Sequence, residues 1–149
     1  RRSHFAQIWA QTLAFHFNVS ADCYSGGTEA TAVFPKVIET LEKTGFEVEK
    51  LSHEANPVYA VKFDKDEEPI LGFSKEIDHT VNPSSEFVAI LTCSQADADC
   101  PIVFGANQRI SLPYNDPKAF DETALQAEKY LETSNLIATE LKFVFSQIN

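Results

Sequence analysis

An α/β fold built on a parallel sheet is what this sequence predicts, on three observations. Strand-like segments alternate with helix-like ones along the chain, the pattern of strand–helix–strand units. The run Phe87 to Thr92 is almost continuously apolar, as in a strand covered on both faces. A length of 149 residues, 44% of them apolar and 23% charged, suits one globular domain with its own core, spanning 1–149.

The segment from Ser3 to about Phe17 reads as the first helix. Phe5, Ile8, Trp9, Thr12 and Phe15 recur at three- and four-residue steps, with Leu13 and Phe17 beside them. Ser3 suits the N-cap. No Asp, Glu, Lys or Arg occurs from Phe5 to Ala21, so this helix is expected to be buried on most of its surface. Asp22-Cys23-Tyr24-Ser25 reads as a short strand stopped by Gly26-Gly27. Phe34 to Gly45 is the second helix: Pro35 fits its first turn, Val37, Ile38 and Leu41 form its apolar stripe, and Gly45 closes it. Glu47 to Leu51 is a brief extended piece, and Val58 to Phe63 alternates as a strand does. Asp64 to Pro69 is a charged turn, with Ile70 to Phe73 as the returning hairpin strand. Gln108 to Leu112 is another short strand. The last helix runs from about Thr123 to Ile148, with Leu125, Tyr130, Leu131, Ile137, Leu141, Val144 and Phe145 on its buried side and a break near Thr133-Ser134.

Charge narrows the function. Twelve Lys and Arg stand against 22 Asp and Glu, a net charge of −10, which argues against a nucleic-acid binder and against a polybasic membrane-surface protein. No stretch of 18 apolar residues exists to span a membrane. Three cysteines, an odd count with Cys23 far from Cys93 and Cys100, do not make a disulfide framework, so the expectation is free thiols in a reducing cytoplasm. The sequence opens Arg1-Arg2-Ser3 and contains no methionine, which is expected of a processed or truncated chain.

Four constellations bear on chemistry. Arg1-Arg2-Ser3 opens an apolar helix, where unpaired N–H groups and a guanidinium suit an oxyanion, although a dibasic start read by itself is better explained as a solvated tail. Cys93 ends the apolar strand and Cys100 lies in the loop beyond, near where ligands sit in open α/β sheets. Their spacing is not that of a zinc site, and two unrelated cysteines are an equally good reading. Asp116, within Pro113-Tyr114-Asn115-Asp116-Pro117, follows a strand and is placed to act as a general acid, or simply to make a turn. Ser25-Gly26-Gly27 allows close backbone approach but matches no nucleotide-binding fingerprint. His4, His16, His53 and His79 show no metal spacing, and of these only His4 stands where it could touch an anion. No metal and no cofactor site is expected.

Taken in order, these features resemble the low-molecular-weight protein tyrosine phosphatase superfamily, closest to its thioredoxin-coupled arsenate reductases. The likeness rests on Arg-Ser opening an apolar helix, the strand before Ser25-Gly26-Gly27, the Pro35-started helix ending Gly45-Phe46, Cys93-x6-Cys100-Pro101 and Asp116-Pro117. It implies a three-layer fold with a four-stranded parallel sheet, of which the first, central strand and most of the phosphate loop are missing from the given chain. Arg2 matches the arginine that closes the phosphate loop and Ser3 the hydroxyl after it. The nucleophilic cysteine is expected six residues before Arg2. Asp116 matches the general acid, and Cys93 and Cys100 match the two relay thiols that thioredoxin restores. Some of these reductases bind potassium through a carboxylate on the first helix; Gln7 stands there, so that site is not carried over. The segment from Asn56 to Glu86 exceeds what compact members have, and reads as a solvated edge more readily than as a hairpin insertion beside the site.

The leading expectation is therefore a cytoplasmic arsenate reductase using Arg2, Ser3, Cys93, Cys100 and Asp116, with no cofactor beyond thioredoxin as reductant. Hydrolysis of phosphotyrosine or other phosphomonoesters is the alternative, needing Arg2 and Asp116 but not the two later cysteines. A non-catalytic oxyanion-binding module is the third.

Overall fold

The charge-free stretch after Arg2 forms α1 (Arg2–His16), and from Phe5 to Ala14 every side chain is buried or partly buried. The computed structural model describes residues 1–94 and 100–148. The helix starts one residue earlier than Ser3, which lies inside the first turn instead of capping it; Arg1 is the N-cap and makes no side-chain cap bond. Against α1 packs α3 (Gln126–Ser146), bringing Tyr130, Ile137, Leu141 and Phe145 onto Phe5, Ile8 and Leu13. Burying one such side chain is worth about 1.5–3 kcal/mol, so this seam is the main stabilising contact of the helices.

The seam also contains small polar residues. Trp9 donates its indole N–H to Ser134 Oγ at 2.9 Å, and Thr133 returns its hydroxyl to the Lys129 carbonyl. Thr133 and Ser134 are buried because their small side chains let α1 approach, and α3 runs through them without the expected break. Leu131 and Val144 of α3, expected inside, lie exposed, and so does Leu125, its N-cap.

Helix α2 (Pro35–Thr44) has Pro35 in its first turn and ends at Gly45, whose φ of 115° is the left-handed conformation. Gly45 N–H reaches the Leu41 and Glu42 carbonyls and Phe46 N–H reaches Leu41, closing the helix end. Phe46 then meets Trp9 edge-on at 5.1 Å.

The strands form two sheets among the described residues. The first, of order β1 (Glu47–Lys50), β2 (Tyr59–Lys62) and β3 (Ile70–Gly72), is antiparallel throughout. The hairpin expected around the charged turn is its β2–β3 pair. The second pairs β4 (Phe87–Leu91) with β5 (Ala106–Ser111) in parallel, and this is the parallel element of the α/β fold. Its pairing continues past both strands, with Leu112 N–H bonded to Leu91 O and Tyr114 N–H to Thr92 O.

Two strand expectations need correction. Val88 and Ile90 of β4 are 53% and 42% exposed, so this strand is covered on one face only, the face carrying the buried Ala89. Residues 22–25 are not assigned as a strand. A strand needs a ladder, and here the backbone groups are held by side chains: Gln11 takes Cys23 N–H and the Ala21 carbonyl, Gln7 takes the Cys23 carbonyl, and Asn82 takes the Ser25 carbonyl. The segment is bound along its length by amides rather than by a neighbouring strand. Gly27 alone makes a parallel bridge, with Glu76.

Candidate functional site

Because β4 and β5 run in parallel, the ends that follow Leu91 and Ser111 lie at one edge of their sheet. Cys93 leaves the first end and Asp116 the second, and the start of α1 comes to the same edge. In open α/β sheets this edge is where ligands bind.

Arg2 is the link. Its guanidinium donates to the Tyr114 carbonyl at 2.7 Å and to Asp116 Oδ2 at 2.9 Å. Asp116 Oδ1 accepts from the Lys118 backbone N–H at 3.0 Å, capping a short 3-10 turn, Pro117–Phe120. The Arg2 side chain is 12% exposed and that of Asp116 37%. An ion pair this open contributes at most about 1 kcal/mol to stability, so its value is in placement. Arg2 and Asp116, predicted from the sequence as oxyanion ligand and general acid, are thus brought into direct contact.

Cys93 and Cys100 are joined to each other as a disulfide, with Cα atoms 5.6 Å apart. The expectation of free thiols is corrected for this pair. Most of the loop between them, residues 95–99, falls outside the described residues. Cys23 remains a free thiol, and burial, helped by the Asp22 charge, pushes it up to about 11, so it is a poor nucleophile.

Ser3 is separated from Arg2 in direction. It lines a polar cavity of about 290 Å³ with His4, Gly27, Thr28, Ser74 and Lys75, on the side of α1 facing the glycine pair. His4 Nδ1 is buried there with no hydrogen-bond partner among the described residues. Burial, then nearby positive charge including Lys75, pushes His4 down to about 3, so the imidazole is neutral. Lys75 is itself buried, which lowers its pKa; its ammonium reaches Ser25 Oγ at 3.4 Å and lies 4.5 Å from the Phe73 ring centre. Gln7 is buried beneath, accepting from Ser25 Oγ and donating to the Cys23 and Leu71 carbonyls.

One part of the site was not visible in the sequence. Arg1 donates through Nε to Tyr130 Oη and through Nη2 to Asp121 Oδ2 at 2.6 Å, and its guanidinium lies 4.0 Å from the Phe34 ring centre. Tyr130 in turn donates to Asp121 Oδ1 at 2.7 Å, and Gln126 adds a bond at 3.1 Å to the same oxygen. Burial works to raise the Asp121 pKa, but the bonds from Tyr130 and Gln126 and the Arg1 charge outweigh it and hold the carboxyl below the usual carboxylate range. Nothing local marks these residues, which lie up to 129 positions apart.

Among the described residues, no three His, Cys, Asp or Glu side chains gather as a metal site requires, and no helix is long and apolar enough to cross a membrane. No protein-family model matches the chain. Two proteins of Staphylococcus epidermidis, named arsenate reductase 2 and arsenate reductase and each from a different strain, are 28% identical to it over 116 residues. The match covers 78% of this chain and 70% of each relative. The chain is thus a distant homologue of staphylococcal arsenate reductases.

Proposed function

We propose that the full-length protein is an arsenate reductase of the low-molecular-weight tyrosine phosphatase type. The observation that supports this best is the Cys93–Cys100 disulfide at the sheet edge where Arg2 meets Asp116. The distant arsenate reductase relatives support the same reading.

In this reading a cysteine six residues ahead of Arg2 is the nucleophile. Its thiolate attacks arsenate held by Arg2 and by the N–H groups opening α1 near Ser3. Arsenate competes with Asp116 for the Arg2 guanidinium. As that bond gives way, the Asp116 carboxyl is free to face the departing arsenate oxygen and, as general acid, to deliver the proton with which it leaves as water. The Cys93 thiolate then attacks the sulfur of the cysteinyl adduct. The S–As bond breaks, its electron pair stays on arsenic, and arsenite leaves with arsenic reduced from the pentavalent to the trivalent state. Cys100 attacks Cys93 in the mixed disulfide, giving the Cys93–Cys100 disulfide and freeing the nucleophile. The sum is arsenate plus two thiols giving arsenite, one disulfide and water. Two further electrons, from thioredoxin as the proposed reductant, restore the thiols. Cytoplasmic residence belongs to the same proposal, since a reducing compartment keeps thioredoxin supplied.

The reading includes a further parallel strand ahead of Arg1, completing a four-stranded sheet in three layers. One feature supports it: Val88 and Ile90 lie open on β4, surface that a complete three-layer fold would cover.

Arsenate turnover by the full-length protein tests the proposal. Cys93→Ser and Cys100→Ser should each abolish multiple turnover. Undiminished turnover in the double variant would remove the relay, and aryl-phosphate hydrolysis surviving in that variant would favour phosphomonoester chemistry, for which Arg2 and Asp116 suffice.

A further inference from the structure

The segment carrying Asp116 is held at both ends by two consecutive arginines. Arg2 takes the Tyr114 carbonyl and the Asp116 carboxylate, at 2.7 and 2.9 Å. Arg1 takes Asp121, at 2.6 Å, immediately past the 3-10 turn that Asp116 caps. Between the two holds lie only Pro117 to Phe120, a single turn stiffened by Pro117. Where Asp116 sits relative to α1 is therefore set by both arginines together.

The Arg1 hold is built from rigid parts. Tyr130 is fully buried on α3, so its hydroxyl is a fixed point, and it both accepts from Arg1 and donates to Asp121. Gln126, one turn earlier on α3, donates to the same carboxylate. The Phe34 ring, at the start of α2, supports the guanidinium from one side. Arg1, Asp121 and Tyr130 thus close a triangle of charge-assisted bonds, stronger and better directed than neutral ones. Its members come from the start of α1, the end of the Asp116 turn and the body of α3. When an oxyanion takes the Arg2 donors, the Arg1 hold is the one that remains on the turn.

We propose that Asp121 and Tyr130 are positioning residues that, through Arg1, keep Asp116 in place for proton transfer while Arg2 is engaged by the oxyanion. This rests on the reading of Asp116 as the general acid. Misplacing a catalytic group by about 1 Å can lower a rate by about 100-fold, so loosening one corner of the triangle is expected to lower kcat by about 10- to 100-fold.

The test is a double-mutant cycle in the full-length protein with arsenate as substrate. Tyr130→Phe keeps the buried ring and removes the hydroxyl; Asp121→Asn removes the charge and serves where Tyr130→Phe fails to fold. Each should lower kcat and leave KM for arsenate unchanged. Added to Asp116→Asn, neither should lower kcat further, because both act through that carboxyl. A merely structural role would multiply the losses in the combined variant, and that result would overturn the inference, as would wild-type kcat in both single variants. If Asp116→Asn itself retains wild-type kcat, the assignment of the general acid fails and this inference with it. If Asp116→Asn is impaired while the Tyr130 and Asp121 variants turn over normally, the inference alone fails.

Discussion

Arg2 and Asp116 lie 114 residues apart and meet at 2.9 Å, and the geometry of that contact depends on the guanidinium fork. One nitrogen holds Asp116 and another the Tyr114 carbonyl, a pair of directions that an ammonium cannot reproduce. Arg2→Lys in the full-length protein is therefore expected to weaken inhibition by inorganic phosphate by about 10-fold or more, measured as the competitive inhibition constant; an unchanged constant would remove Arg2 from the oxyanion site. A second prediction concerns His4. The unfolded chain takes up a proton on this imidazole near pH 6.5, while the folded protein resists protonation down to about 3. Between those values the unfolded state binds more protons, so stability should fall as pH drops below about 6.5. His4→Gln should flatten that part of the stability–pH curve in denaturant titrations, and an unaltered slope would count against a neutral buried imidazole. Arg2 and Asp116 could be paired from the sequence only through the order of motifs along the chain, since Arg-Ser before an apolar helix and Asp-Pro after a strand read singly as a solvated tail and a turn; their contact is a finding of the structure. Arg1, Asp121 and Tyr130 could not be paired at all, because a three-way contact among residues distant in the chain leaves no spacing to read.

Helix signals were legible wherever termination is local chemistry. Pro35 at the start of α2 and Gly45 past its end both sit as their backbone preferences require. A Cβ at Gly45 meets nothing within 4 Å, so Gly45→Ala isolates the left-handed backbone cost. It should destabilise the protein by about 1–2 kcal/mol, read as a lower urea midpoint with an unchanged m-value; no shift would mean that the C-terminal turn relaxes freely. The strands were legible as segments but not as partners. The charged turn announced the β2–β3 hairpin, yet nothing in the segment Glu47 to Leu51 revealed that it would join that hairpin as an antiparallel third strand. Residues 22–25 have strand composition but no ladder, since the amides of Gln7, Gln11 and Asn82 occupy the groups a neighbour would take. On α3 the apolar pattern pointed to Leu125, Leu131 and Val144, whereas contact with α1 selected Thr133 and Ser134. Small residues allow close helix approach, and a hydrophobicity count undervalues them.

At the scale of the molecule, three helices and a three-stranded sheet share one core, from Phe5 and Ile8 through Val37, Leu41, Tyr130 and Ile137 to Val61 and Ile70. The β4–β5 pair instead presents Val88, Ile90 and Ile110 outward, with Ile102 and Phe104 in the loop between the strands more exposed still. Open apolar strand surface and an uncovered edge favour association over a single folded state. A fragment limited to Arg1–Asn149 is accordingly expected to melt without a sharp transition and to bind hydrophobic dye, where the full-length protein does neither; cooperative melting of the fragment would contradict the proposed additional strand. The central claim is that Cys93 and Cys100 are the electron donors for arsenate. It is tested most directly by mixing pre-reduced full-length protein with excess arsenate in a single turnover, and measuring arsenite alongside disulfide mapping by mass spectrometry. Arsenite equimolar with protein is expected, with a Cys93–Cys100 disulfide appearing in step with it. Arsenite formed while both thiols stay reduced, or no arsenite at all, would contradict it.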